Sequence, residues 1–330
     1  STVTKLYYLS ESESRLEEYF LDKLNKNGIE NVRVDITTDI NEYNEIEITT
    51  VRITNDNAAE AVGKPKGTYI SIEADKMKGA DADFRQKVIE ITADMLKTVL
   101  NSDREKNILV AGLGNRYITP DSLGPKVVAK ILVTRHIRDT LSDKIDDSVA
   151  SVAAIAPGVM GITGIETAEI LKGIIERIKP DAVIAIDALA ARRTSRINSV
   201  IQIADSGISP GSGVGNKRML LNEESLGVPV IGIGVPTVVS AATLVNDSME
   251  RILSAMAEAS EEKLFYNTLN NLGDEREVLI AELLEPYAEN MFVTPKEVDE
   301  VIERLAEIIS NAINIAVHPA LTKEDINKYV

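Results

Sequence analysis

The 330-residue sequence has no cysteine and no tryptophan, and only two histidines. Each absence removes a class of chemistry. Without cysteine there is no thiol nucleophile, no thiolate metal site and no disulfide, which fits a reducing, cytoplasmic setting. Two histidines, His136 and His318, lack a third ligand at metal spacing and read as structural. With 4% aromatic residues the core must be aliphatic. No bilayer-spanning helix is expected. No basic-then-apolar segment opens the sequence, so no secretory leader is expected. The formal net charge of −16 argues against direct nucleic-acid binding, which draws its affinity from clustered Lys and Arg. That acidity either keeps the chain soluble or lines a groove for a basic or polar protein.

What the sequence does contain is acid in distinctive places. Asp121 lies in Gly112-Leu-Gly-Asn-Arg-Tyr-Ile-Thr-Pro-Asp121-Ser-Leu-Gly-Pro125, and Asp187 in Ala182-Val-Ile-Ala-Ile-Asp187-Ala-Leu-Ala-Ala-Arg-Arg193. Periodicity places both at strand ends. Residues 45–54 and 69–74 read as strands, and 84–100 as an amphipathic helix carrying Val88, Ile91, Met95 and Val99 on one side. From residue 107 the pattern alternates. Strands are expected at 108–111, 152–155, 182–186, 199–203 and 228–235, with helices at 125–136, 164–178 and 240–257. After residue 258 the chain reads as wholly helical, ending with 295–315. This predicts an α/β fold, mostly parallel, with helices on both sheet faces. Such folds collect their chemistry at the carboxyl ends of parallel strands, which would bring Asp121 and Asp187 to one edge.

Each residue has a structural reading beside its chemical one. Asp121, in a turn and helix-start sequence, suits an N-cap. Asp187, following five apolar residues, needs compensation for its desolvation, and Arg192 or Arg193 could supply it. Asp205 caps a turn or joins the site, with the turn favoured. Glu166 reads as an early-helix residue stabilised by the helix dipole. Gly112-Leu-Gly114 opens like a dinucleotide fingerprint, but Tyr117 stands where its third glycine belongs. Gly207-Ile-Ser209-Pro-Gly211 matches a nucleophile-elbow pattern, yet the proline and glycines that follow forbid the helix this motif needs. The stretch from Gly207 to Gly215 instead suits a loop whose backbone can approach a peptide.

Longer blocks carry a resemblance. They are Gly112-Leu-Gly-Asn115, Thr119-Pro-Asp-Ser-Leu-Gly-Pro125, Pro157-Gly-Val-Met-Gly-Ile-Thr-Gly-Ile-Glu-Thr167 and Ile186-Asp-Ala-Leu-Ala-Ala-Arg192. Three more follow: the run from Asp205 to Arg218, Gly234-Val-Pro-Thr-Val-Val239, and Val293-Thr-Pro-Lys-Glu-Val-Asp299. Together they resemble the germination protease family of spore-forming bacteria. The resemblance implies an atypical aspartic endopeptidase that initiates degradation of small acid-soluble spore proteins in the cytoplasm of the spore core. It implies a fold related to hydrogenase maturation proteases, a homotetramer, no cofactor and no metal, and a catalytic pair at Asp121 and Asp187. It also implies a self-processing zymogen. The matching segment Val32-Arg-Val-Asp35-Ile36 puts the cut between Asp35 and Ile36, dividing a propeptide, 1–35, from a peptidase domain, 36–330, with a helical C-terminal part. Residues 10–27 read as a helix with an apolar stripe, which would dock across the groove until the cut.

Three other readings compete. A metal-dependent maturation protease of related fold would set a histidine beside the two acids. A nucleotide-binding regulatory protein would use the Gly112 loop. In a purely structural oligomer, both aspartates would be caps.

Overall fold

A computed structural model describes residues 34–40, 45–100, 107–140, 149–211, 219–259, 280, 282 and 291–318. The expected helix at 10–27 and residues 212–218 of the glycine-rich stretch lie outside the described residues.

The described strands are β1 (Val34–Ile40), β2 (Glu47–Ile53), β3 (Gly67–Glu73), β4 (Asn107–Gly112), β5 (Ser151–Ile155), β6 (Ala182–Ala191), β7 (Val200–Ala204), β8 (Val230–Ser240) and β9 (Phe292–Val293). They join in one sheet of order β1-β2-β3-β7-β8-β6-β4-β5, with β9 added against β8. At the centre β8, β6, β4 and β5 run parallel. An antiparallel wing, β1-β2-β3-β7, extends the sheet on the β8 side.

Helices cover both faces of the centre. Alternate residues of β4, β6 and β8 (Ile108, Val110, Ile184, Ile186, Ile231, Ile233) build one apolar cluster with α2 (Ala82–Val99), α3 (Leu123–Val128) and α9 (Val298–Val317). The residues between them (Leu109, Ala111, Val183, Ala185, Val230) pack on α6 (Thr167–Ile178) and α7 (Glu223–Leu226). Central strands buried on both sides must be apolar at every position, which is why β6 opens Ala-Val-Ile-Ala-Ile. Over the wing, Ala58 and Val62 of α1 (Asp56–Val62) meet Val51, Ile53 and Tyr69. The remaining described helices are α4 (Arg135–Thr140), α5 (Met160–Thr163) and α8 (Ala241–Ala259). No helix among the described residues is long and apolar enough to cross a membrane.

Local chemistry sets the ends of these elements. The Asp81 carboxylate accepts from Phe84 N at 3.0 Å and starts α2. Glu166 is the N-cap of α6 and forms a reciprocal capping box with Glu169, a more specific role than a dipole contact alone. Asn55 caps α1 through Ala58 N, and Gly63 closes it in the left-handed conformation.

The strand expected at 199–203 is present as β7 and runs antiparallel to its neighbours. Its link from β6 holds only a single 3-10 turn (Thr194–Arg196), too short for the crossover that a parallel neighbour demands. The helix expected at 125–136 is two helices, α3 and α4. Between them Leu132 N donates to Asn314 Oδ1, Lys130 O accepts from Asn314 Nδ2, and Thr134 exchanges bonds with Ala150 O and Val152 N. Partners from elsewhere in the fold thus replace the helical ones. The helix expected at 164–178 begins at Thr167, because Gly164, at φ 72°, ends the separate turn α5. The region after 258 is not wholly helical, since Phe292–Val293 pairs with Val239 and Ser240 of β8. The helix α1 was missed: seven residues with Ala58 and Val62 buried are too short for a clear period.

Candidate active site

Gly112 ends β4 in register with Ile186 of β6, and the next backbone amide, Leu113 N, donates to Ile186 O at 2.8 Å. Asp187 is therefore the first residue of β6 beyond the last β4 pair. It does not end β6, as the sequence suggested. Residues 187–191 stay paired with β8 from Gly234 to Val239, so the strand outlasts its neighbour. The step left by the shorter β4 forms the edge at which Asp187 sits. The residue is 3% exposed, and its Oδ1 accepts from Ala188 N at 3.0 Å. Alternation puts it on the sheet face of Val183 and Ala185. Arg193 turns elsewhere, pairing with Glu250 at 2.5 Å and lying 4.0 Å from Asp247, both of α8.

Asp121 ends the 3-10 turn Thr119–Asp121 in the loop between β4 and α3. That turn packs against β6, β8 and α9. The chain thus brings the loop of Asp121 onto the strand that carries Asp187, across 66 residues of sequence (187 − 121). The N-cap reading of Asp121 is not what the loop does. Ser122 precedes α3, while Asp121 Oδ2 reaches back to accept from Asn115 N at 2.6 Å. Gly114, at φ 102°, makes this possible, since a Cβ there would stand 2.1 Å from Asp121 O.

Three hydroxyls hold the turn. Thr237 Oγ1 donates to Pro120 O at 2.7 Å, Thr119 Oγ1 to Asp299 Oδ1 at 2.8 Å, and Ser122 Oγ to Thr119 O at 2.8 Å. Thr294 Oγ1 donates to Thr237 O at 2.9 Å. Thr237, Thr294 and Asp299 stood inside quoted sequence blocks without a role. Only their tertiary bonds reveal one.

The decoys resolve on geometry. A Cβ on Gly112 would lie 2.1 Å from Gly124 O, and one on Gly124 2.3 Å from Leu113 O. The two glycines let β4 and α3 touch backbone to backbone, filling the space a pyrophosphate would need. Ile208 bridges to Leu221 straight after the turn that ends β7, so Ser209 heads no strand-to-helix elbow. Asp205 Oδ1 accepts from Thr68 N at 2.7 Å and clamps the β7 end to β3, as a turn residue. The glycine-rich stretch folds back so that Gly207 and Ile208 cover Gly232 of β8. Gly232 lies two residues from Gly234, the register partner of Asp187. The loop therefore starts on the sheet face that carries Asp187.

His318 follows α9 fully buried, with Nε2 3.4 Å from Leu132 O; burial, partly opposed by that bond, holds its pKa below the usual 6.5. Among the described residues no three His, Cys, Asp or Glu side chains gather as a metal site. The loops after β4 and β5 leave the same edge as Asp187 and expose Tyr117, Ile118, Met160, Ile162 and Ile165.

The profile of the germination protease family matches residues 13–271 and 254–330. Germination protease of Clostridium perfringens is 50% identical over 288 residues, spanning 87% of this chain and 89% of its own length. That of Clostridium acetobutylicum is 49% identical over 310 residues, 92% and 94% of the two chains. That of Bacillus subtilis is 40% identical over 319 residues, 86% of each. Among solved structures, a NiFe hydrogenase maturation protease from Thermococcus kodakarensis aligns over 66% of this chain and 98% of its own, at 18% identity and a TM-score of 0.33. On the extent of these sequence matches, the chain belongs to the germination protease family.

Proposed function

We propose that this chain is an aspartic endopeptidase that begins the degradation of small acid-soluble spore proteins when spores germinate, with Asp121 and Asp187 as its working carboxyls. One observation supports the reading: the turn that ends in Asp121 packs on β6, the strand that carries Asp187 just beyond its last pair with β4. Two carboxyls drawn together cannot both ionise cheaply, so the pair keeps one proton. The ionised member takes a proton from water as the water oxygen attacks the scissile carbonyl carbon. The protonated member hydrogen-bonds the carbonyl oxygen. The tetrahedral adduct then collapses, the C–N bond breaks, and the amine leaves with a proton from the pair. The pair titrates as a unit, so the roles belong to both. The exposed Tyr117, Ile118, Met160, Ile162 and Ile165 would line the path of the substrate.

The same site would process its own chain. Asp35 and Ile36 lie in β1, opposite Arg52 and Val51 of β2, in the extended form that a protease cleft accepts. Among the described residues β1 is the outer strand of the wing, bonded on one side only. Cleavage there would release residues 1–35, and the mature chain would act as a homotetramer in the cytoplasm of the spore core, without metal or cofactor.

Asp121→Asn and Asp187→Asn test this reading. Each is expected to abolish cleavage of a small acid-soluble spore protein and cutting at Asp35–Ile36, both followed by mass spectrometry, with the circular dichroism spectrum unchanged. Full activity in either variant overturns it.

A further inference from the structure

The parallel register of β6 and β8 breaks at one point. Leu189 pairs with Pro236 and Ala190 with Val238, so Thr237 is an extra residue with no opposite number on β6. A β-bulge of this kind re-aims the bulged side chain and twists the strand locally. Here it turns Thr237, 1% exposed, towards the loop of Asp121, where Oγ1 donates to the Pro120 carbonyl at 2.7 Å. The bulged residue is itself held, since its own carbonyl accepts from Thr294 Oγ1 at 2.9 Å. The proline makes the contact decisive. Pro120 has no N–H of its own, so its carbonyl is the one main-chain polar group by which the residue before Asp121 can be fixed.

We propose that Thr237 is a positioning residue for Asp121: the bulge in β8 exists to put a hydroxyl on the Pro120 carbonyl and so set the angle at which the Asp121 carboxylate meets Asn115 N and the substrate. This rests on the reading of Asp121 as a working carboxyl and adds to it the device that aims the group. The device spans two sequence blocks that the two aspartates leave unexplained. Gly234–Val239 supplies the bulge, and Val293–Asp299 supplies Thr294 to hold it and Asp299 to hold Thr119 on the other flank of the turn. A loop anchored at Thr119, Pro120 and Asp121 in succession cannot pivot about its own axis. Loss of the middle anchor lets the turn shift between the outer two and loosens the bond from Asn115 N to the carboxylate.

The test uses the full chain and a small acid-soluble spore protein as substrate. Thr237→Val keeps the shape and removes the hydroxyl. It is expected to lower kcat by about tenfold to a hundredfold with KM little changed, since small misplacements of a reacting group carry penalties of this size. It is also expected to move the acidic limb of the kcat–pH profile upward. A looser Asn115 N–H bond favours the ionised carboxyl less. Thr237→Ser, which restores the hydroxyl, is expected to recover most of the rate and the original limb. A merely structural hydroxyl would alter thermal stability and leave the limb in place. Should Thr237→Val fail to fold, Thr294→Val takes its place. It frees the Thr237 carbonyl, keeps the hydroxyl, and is expected to shift rate and limb the same way by less. An unchanged kcat and limb in Thr237→Val (or in Thr294→Val where that stands in), or a Thr237→Ser enzyme as slow as Thr237→Val, overturns the inference. An active Asp121→Asn enzyme would instead overturn the site reading beneath it, so the two failures are told apart.

Discussion

Gly114 lies directly under Asp121: a Cβ on Gly114 would stand 2.1 Å from the Asp121 carbonyl oxygen and 3.0 Å from its Oδ1. The loop folds only because one residue has no side chain and adopts φ 102°. Gly114→Ala therefore meets both a clash and a disfavoured backbone. A stability loss of about 1–3 kcal/mol is expected in urea denaturation. Proteolysis of a spore protein should be lost almost completely, because the displaced atoms belong to Asp121. A variant of wild-type activity would show that the loop tolerates a shift that its present packing forbids.

Arg196 joins the wing to the parallel centre. Its guanidinium is largely buried, 2.8 Å from Glu73 Oε1 and 3.3 Å from Ser71 Oγ, so that the link after β6 is tied to β3. Arg196→Met strands a carboxylate that is itself mostly covered. The expected cost is about 3–5 kcal/mol, as for other broken buried pairs. The double change with Glu73→Gln should cost less than Arg196→Met alone, since no charge is then left without its partner. Equal stabilities for the single and double variants would contradict this.

His318 makes stability depend on pH in a stated direction. Burial lowers its pKa in the folded chain below 6.5, so the unfolded chain binds the proton first as pH falls. Its contribution is full above 6.5 and is lost as pH drops below that value towards the folded pKa. The slope from this one group cannot exceed about 1.4 kcal/mol per pH unit. His318→Gln is expected to flatten the fall in melting temperature just below pH 6.5. A melting profile just as steep in that variant would assign the effect to other groups.

Leu305 tests the role of α9 as core rather than cover. It is fully buried in the large cluster shared with α2 and the central strands. Leu305→Ala should cost about 2–5 kcal/mol by denaturant titration, through lost contacts and the cavity left behind. A cost below about 1 kcal/mol would mean that the helix can collapse onto the gap.

How much of this was legible beforehand differs between elements, for physical reasons. The central strands were plain because burial on both faces forces unbroken apolar runs, as in residues 182–186. That Asp187 lies past the last residue of β4 paired with β6 followed from that pattern and the alternation around it. The direction of β7 was not legible from its own residues, since an apolar strand reads alike either way up. Only the helix-free link before it carried the information. The break between α3 and α4 was invisible because its causes, Asn314 and Thr134 with their partners, are remote in sequence. Nor could the anchors of Asp121 be read in advance. A threonine that hydrogen-bonds a distant carbonyl has the same local sequence as one that faces water, and the bulge at Thr237 exists only relative to β6.

The last described helix has a bearing on the order in which the turn is secured. Asp299, which holds Thr119, lies 178 residues (299 − 121) beyond Asp121 in the sequence. Synthesis runs from Asp121 towards Asp299, so a growing polypeptide carries the turn without this bond until α9 has emerged and docked.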